Sequence, residues 1–257
     1  MKNKILYLKS KKFSYSEISY GFFYRIGGVS KAPFDSLNCS KLSGDNKNNV
    51  KKNISIAMNS LNLNKKKLII GKQIHSNKVK EIRKSTSKED LIADGFITKN
   101  KEICLGILTA DCAPIFFYDP DKCVIGVAHA GWKGCLSNIC KNIVKSMVKI
   151  GSTPKNIKAI IGPCIKVRNY EIDNMLYLRF VKKDKKYKKF FKKTRGGKYK
   201  LDLAQLLKNQ LNDLNLSSVV LINEDTYSKE SKYFSHRRSS HFNQNKTGRM
   251  INLIGFS

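Results

Sequence analysis

The distribution of apolar and polar positions predicts strands over ISYGFFYR (18–25), KVKEIR (78–83), ICLGILT (103–109), PIFFYD (114–119), CVIGVAH (123–129), IKAIIG (157–162) and SVVLINE (218–224). Between the later strands the period changes to that of a helix. Over CLSNICKNIVKSMVKI (135–150), Leu136, Ile139, Cys140, Ile143, Met147 and Val148 share one face, Lys141, Asn142, Lys145 and Lys149 lie off it, and Gly151 and Pro154 end it. Two further helices are predicted over LDLAQLLKNQLNDLN (201–215) and VKKNISIAMNSLN (50–62). The pattern is a continuous α/β or α+β mixture. Nothing repeats and no Pro/Ser-rich linker divides the chain, so one domain over 1–257 is expected.

Composition supports a folded core, with 41% hydrophobic and 10% aromatic residues in 257. No stretch approaches the roughly 18–20 apolar residues of a membrane span. The N-terminal ILYL is shorter than the roughly 7–15-residue core of a signal peptide. A cytoplasmic protein with no membrane partner is expected. Seven cysteines, an odd number without small-domain spacing, argue for reduced thiols or a metal ligand rather than a disulfide framework.

The formal charge of +31 first suggests a polyanion partner. Its source changes that picture: 8 of the 50 basic residues are Arg, leaving 42 Lys, and abundant Lys, Asn and Ile are what an AT-rich coding sequence produces. Each retained Arg is therefore informative, because its planar fork does what Lys cannot. The segment KKDKKYKKFFKK (182–193) reads as a helix with a solvated lysine face. Its alternative is a polyanion-binding stripe, which would make the protein a nucleic-acid binding module.

Candidate chemistry gathers at three ends of apolar runs. GKQIHSNKV places His75 after an Ile, LGILTADCAPIFFY places Cys112 after a strand, and VIGVAHAGWKGCLSN (124–138) ends a strand on His129 before a helix starting near Gly134. Two His and one Cys are three zinc ligands with an open fourth position, the catalytic rather than the structural arrangement. Such a position acidifies bound water to a pKa of roughly 7. Asp94 and Asp111 are placed to orient imidazoles, and Gln73 lies beside His75. A metal-free rival uses Cys112 as nucleophile with a histidine base. For an anion, the helix N-terminus near Gly134 with Lys133, and Arg25 in YRIGGVS, offer positive charge beside glycines. Arg237 and Arg238 in FSHRR and Arg249 in TGRM have similar settings.

These residues resemble a family: the zinc-containing purine nucleoside phosphorylases once described as multicopper polyphenol oxidases or laccases, which include the bacterial peptidoglycan editing factor. The resemblance runs from about Tyr20 to the C-terminus. It rests on RIGGVSKAPFDSLN, GD at 44 and 45, QIHSNKV, ADGFIT, TADCAPI, VAHAGWKG, IGPCI followed by Tyr170 and Glu171, and FSHRR and TGRM. It implies an α+β fold of packed β-sheets flanked by helices. It also implies that His75, Cys112 and His129 are the metal ligands and so the catalytic centre; the reading of the residues themselves sets Arg25, Gln73, Asp111 and Lys133 toward substrate and phosphate. The implied activity is phosphorolysis of adenosine, inosine, guanosine and methylthioadenosine, with adenosine deamination beside it. The editing alternative acts on UDP-muramyl-amino-acid precursors. Zinc fits better than copper, since only four His exist. The chain departs from the family pattern at Lys133, where Arg is usual, at Asp225 in place of a Cys, and at His236 and Ser239 in place of Tyr and Asp.

Overall fold

A computed structural model describes residues 6–87, 91–244 and 246–257. Along the chain come β1 (Tyr7–Leu8), β2 (Ile18–Phe23), α1 (Lys47–Ser60), β3 (Lys67–Ile70), β4 (Val79–Glu81), β5 (Gly95–Thr98), β6 (Ile103–Thr109), β7 (Ala113–Asp119) and β8 (Val124–Ala130). After them lie α2 (Trp132–Leu136), α3 (Ile139–Lys149), β9 (Lys158–Ile161), β10 (Glu171–Ile172), α4 (Asn174–Lys183), β11 (Phe191–Lys193) and β12 (Tyr199–Leu201). The chain closes with α5 (Leu203–Asn212), β13 (Ser218–Leu221), α6 (His236–His241) and β14 (Met250–Phe256). Among the described residues these strands form three sheets, ordered β1-β2-β14-β6-β3, β13-β9-β7-β8-β5-β4 and β10-β12-β11. The result is the expected α+β arrangement of packed mixed sheets flanked by helices.

Side-chain alternation explains why the two large sheets face each other. On β7, Phe116 and Tyr118 join Tyr20, Phe22 and Leu105 of the first sheet, and the Phe22 and Phe116 rings stack with centroids 4.5 Å apart. Ile115 and Phe117 of the same strand point the other way, into the cluster built by α3 and α5. Strands covered on both faces read as continuous apolar runs, which is why β6, β7 and β8 were plain in the sequence. The outer face of the first sheet is covered by α1, whose Ala57 and Met58 meet Phe23, Ile251 and Leu253.

One end of this sandwich collects the chemistry. The chain crosses between the sheets there three times, from β3 to β4 through 71–78, from β6 to β7 through Ala110, Asp111 and Cys112, and from β13 to β14 by way of α6. Ala130, at the end of β8, pairs with Ala113, and Met250, at the start of β14, pairs with Thr109. Both strand ends therefore meet the same crossovers.

Several predicted elements change. The helix expected over 135–150 is two, α2 and α3, because Gln210 Nε2 donates to the Cys135 carbonyl at 3.0 Å and Asn77 Nδ2 to the Ser137 carbonyl at 2.8 Å. Side chains that occupy helix carbonyls break the ladder there, and Asn138 takes a left-handed φ of 62°. β8 runs one residue past His129, and the following helix starts at Trp132 rather than near Gly134. The lysine-rich segment is not a single helix. α4 ends at Lys183, the Asp184 carboxylate accepts from Lys186 N, a 3-10 stretch covers Lys185–Phe190 and β11 follows. Burial of Tyr187 and packing of Phe191 on Phe180 at 5.4 Å draw this segment back onto α4. The other two helices shift to where side chains cap them: Asn46 accepts from Asn48 N and Asn49 N, and Asp202 from Gln205 N. Among the described residues no helix is long and apolar enough to cross a membrane.

Candidate metal centre

His75, Cys112 and His129 meet at the crossover end. His75 lies on the β3–β4 crossover with φ of 58°, Cys112 directly precedes β7, and His129 is the penultimate residue of β8. One ligand atom from each lies within 4.8 Å of the others. The two imidazoles meet edge to face with centroids 4.8 Å apart. His129 is 3% exposed and His75 is open to solvent, so the cluster forms the floor of a cavity rather than a sealed site.

Asp94 organises both histidines. Its carboxylate is fully buried. Oδ1 accepts from His129 Nδ1 at 2.9 Å and from His75 N at 3.0 Å. Oδ2 accepts from Ile74 N at 3.2 Å, Ser76 N at 2.6 Å and Ser76 Oγ at 2.8 Å. One carboxylate thus shapes the loop that carries His75 and holds the ring of His129, and a proton on Nδ1 leaves Nε2 free to ligate. Gly131 completes the fit: a Cβ there would stand 2.8 Å from Cys112 Sγ.

Charge within the cluster is strongly coupled. Burial alone would raise the Asp94 carboxyl, but hydrogen bonds from His129 and Ser76 hold it at about 2. Burial would also raise the Cys112 thiol, and the neighbouring His129 and His75 instead bring it to about 6. His129 is opposed by burial and raised to about 9 by Cys112 and Asp94. At neutral pH the metal-free cluster therefore pairs a Cys112 thiolate with a His129 imidazolium, and a metal bound here takes the thiolate as it stands and displaces the His129 Nε2 proton. Thiolate and imidazole donors suit zinc. Zinc bonds run at about 2.0–2.3 Å, so an ion among these atoms requires a small inward contraction.

Above the cluster opens a cavity of about 890 Å³. Ile54, Leu68, Ile70 and Leu108 supply an apolar wall, Lys41, Lys51, Lys72 and Arg249 supply positive charge, and no Asp or Glu lines it. Arg249 Nη1 donates to the Thr247 and Gly248 carbonyls, each at 3.0 Å. Burial lowers its pKa, and the Cys112 sulfur and the Asp111 carboxylate partly offset that effect. His236, also on the wall, is kept below its ordinary value by burial and by Arg249.

The other predicted residues are placed differently from one another. Gln73 lines the cavity, but its amide is used twice by the Leu108 backbone, donating to the carbonyl and accepting from the N–H, both at 2.8 Å. Asp111 touches neither imidazole. It accepts from Thr226 Oγ1 at 2.7 Å, Ser235 Oγ at 2.9 Å and Arg237 N at 2.7 Å, pinning the C-terminal segment to the crossover. Neither Arg25 nor Lys133 lines this cavity. Arg25 pairs with Asp35 at 3.0 Å, stacks over Phe234 and lines a separate cavity of about 460 Å³. Lys133 is exposed, with Nζ 5.4 Å from the Trp132 ring. Trp132 itself borders a third groove with Tyr170 and Arg237. Arg238 is consumed by the Thr226, Tyr227 and Tyr233 carbonyls. The cations that do line the cavity are Arg249, a named candidate, and three lysines that nothing in the sequence separates from the other 39 of the 42.

A family model described as multi-copper polyphenol oxidoreductase laccase matches residues 19–257. The chain is 35% identical over 250 residues to a Bacillus subtilis protein named purine nucleoside phosphorylase YlmD, covering 93% of this chain and 88% of that one. It is 32% identical over 236 residues to a purine nucleoside phosphorylase of Haemophilus influenzae, covering 90% and 91%. The crystal structure of YlmD from Geobacillus stearothermophilus superposes with a TM-score of 0.85 at 26% identity, covering 100% of this chain and 98% of that one.

Proposed function

The chain belongs to the multi-copper polyphenol oxidoreductase laccase family, and from that premise we propose that it is a purine nucleoside phosphorylase. The observation that carries the reading is the cavity, which joins an apolar wall to cationic groups above three convergent metal-type donors and contains no carboxylate. Relatives of matching length carry that name.

In this reading phosphate enters beside Arg249, whose fork suits a phosphate oxygen pair. Ile54, Leu68, Ile70 and Leu108 take the purine and exclude water. His236, neutral at pH 7, offers one donor and one acceptor to the sugar or base edge. The C1′–N bond of the nucleoside breaks, a C1′–O bond to phosphate forms, and the departing base keeps the electron pair and takes up a proton. The products are free base and ribose 1-phosphate. Positioning two reactants and balancing their charge is most of the protein's task. His75, Cys112 and His129 would hold zinc, which supplies Lewis acidity at the cavity floor when bound.

Adenosine, inosine, guanosine and methylthioadenosine share the purine and ribose that this cavity would grip. Adenosine deamination is placed second, because no carboxylate lines the cavity to shuttle the proton. A single zinc is favoured over several coppers by the fact that one three-donor cluster of His, Cys, Asp or Glu is found among the described residues. A reducing, cytoplasmic setting is supported by seven cysteines all in the free form.

The test supplies metal-analysed protein with inosine or adenosine, with and without phosphate. Phosphate-dependent release of base, with one equivalent of metal that is lost in His129→Ala, is the expected result. Base release that ignores phosphate, or none at all, removes the phosphorylase reading.

A further inference from the structure

The cavity contains more positive charge than one orthophosphate requires. Lys41 comes from the loop before α1, Lys51 from the second turn of α1 and Lys72 from the crossover after β3, three segments distant in sequence. All three are exposed, and among the described residues their side chains make no hydrogen bond or ion pair. The carboxylate nearest to Lys41 in the chain, Asp45, does not neutralise them. It accepts from Ser30 Oγ at 2.7 Å and from Asn38 Nδ2 at 2.8 Å. Like charges that line one cavity repel one another, and an anion of charge near −2 placed among them relieves that repulsion.

Their position relative to the apolar wall matters as much as their charge. Lys51 and Ile54 are three residues apart on one face of α1, and Lys72 follows Ile70 by two residues. Lys51 and Lys72 therefore border the surface assigned to the base and sugar, while Arg249 lies toward the Cys112 sulfur, whose charge it feels. At about 890 Å³ the cavity is near the upper end of the roughly 300–1,000 Å³ range of small-molecule sites. It has room for a group beyond nucleoside and phosphate.

We propose that Lys41, Lys51 and Lys72 form a second anion subsite that takes the 5′-phosphate of a purine nucleoside 5′-monophosphate, a proposal that rests on the phosphorylase reading of the same cavity. The bond changes are those already given, with orthophosphate as co-reactant, and the sugar product is ribose 1,5-bisphosphate. Two subsites keep two dianions apart, so that neither excludes the other.

The experiment compares AMP with adenosine on the metal-loaded protein, by calorimetric binding and by phosphate-dependent release of adenine. AMP is expected to bind about tenfold more tightly, equivalent to ~1.4 kcal/mol. The kcat/KM ratio of AMP to adenosine should exceed one by a similar factor at low salt and shrink as salt is added. In Lys41→Gln/Lys51→Gln/Lys72→Gln that ratio should fall toward one. Exposed positions of this kind change stability by no more than about 0.5 kcal/mol each, so the variant should fold. Equal binding of AMP and adenosine, or a preference for AMP that survives the triple substitution, overturns the subsite. If neither compound releases adenine, the phosphorylase reading falls, and the binding ratio alone still decides whether the lysines recognise a 5′-phosphate.

Discussion

Two buried carboxylates show how much a single residue can carry in this protein. Asp94 holds the His129 ring and three consecutive backbone N–H groups of the His75 loop, so it positions two candidate ligands at once. Asp94→Asn cannot accept at all of these sites. Metal affinity is expected to fall roughly 10–100-fold, and stability by about 1–3 kcal/mol, read by metal titration and by denaturant unfolding of the metal-free protein. Unchanged affinity would show that the ligands hold their places without it. Asp225 is an anchor, accepting from Arg168 Nε at 3.1 Å, Asn169 Nδ2 at 2.7 Å and Ser228 Oγ at 2.8 Å. Burial alone would raise its pKa, yet these bonds depress it below the ordinary carboxylate value. A depressed folded-state pKa means stabilisation that is present above the unfolded value and lost as pH falls through the folded one. The stability gap between the native protein and Asp225→Asn should therefore be largest near neutrality and close under acid, measured by urea unfolding from about pH 6 to pH 3. A gap that widens on acidification contradicts this assignment. The arginines show what a residue-level reading misses. Arg25 and Arg249 both sit beside turn residues, and the Phe22–Asn252 register brings both to the same end of the first sheet. What separates them is a partner: Asp35 captures the Arg25 guanidinium, and no carboxylate pairs with that of Arg249 among the described residues.

At the scale of elements, the central strands were legible because burial on both faces leaves an uninterrupted apolar run, and ICLGILT became β6 without a change of boundary. β14 was available from the same signal in MINLIGF, though it was not among the strands predicted; Asn252 in the middle of that run is buried, donating to Thr109 Oγ1 at 3.0 Å. The short strands β3 and β5 carry too few residues to show a period. Helix breaks were not legible at all, since the break between α2 and α3 depends on Gln210 and Asn77, which are distant in sequence. The strand-to-helix junction after β8 brings His129 to the cluster, whereas Lys133, expected to add charge to an anion site at the helix N-terminus, is exposed to solvent. The structural demand at the junction is space. Gly131 has an ordinary φ of −81°, so its backbone suits any residue, yet a Cβ would meet Cys112 Sγ at 2.8 Å and His75 Cδ2 at 3.4 Å. Gly131→Ala should therefore weaken metal binding and turnover far more than it lowers the unfolding midpoint of the metal-free protein. Metal analysis alongside thermal melts separates the two effects, and a matched loss in both would mean that the junction is simply destabilised.

For the molecule as a whole, a formal charge of +31 is a burden on the folded state, because compaction brings like charges together. Local pairing relieves only part of it. In the lysine-rich region Lys186 reaches Asp213 at 2.8 Å and Lys198 reaches Glu171 at 2.9 Å. In the small sheet, however, Lys192 lies directly opposite Lys200, an arrangement that costs stability in a β-ladder. Such repulsion is long-range at low ionic strength, where the Debye length is about 30 Å at 0.01 M, and short-range near 0.15 M, where it is about 8 Å. Sodium chloride should therefore raise the melting temperature across that interval, opposite to the effect expected for a protein held together by surface ion pairs. Lys192→Glu should stabilise by a few tenths of a kcal/mol up to about 1 kcal/mol at 0.01 M salt, and that gain should fade by 0.15 M. If the melting temperature is flat or falls with added chloride, self-repulsion is already compensated, and the Lys192 and Lys200 charges cannot be the source of strain assigned to them.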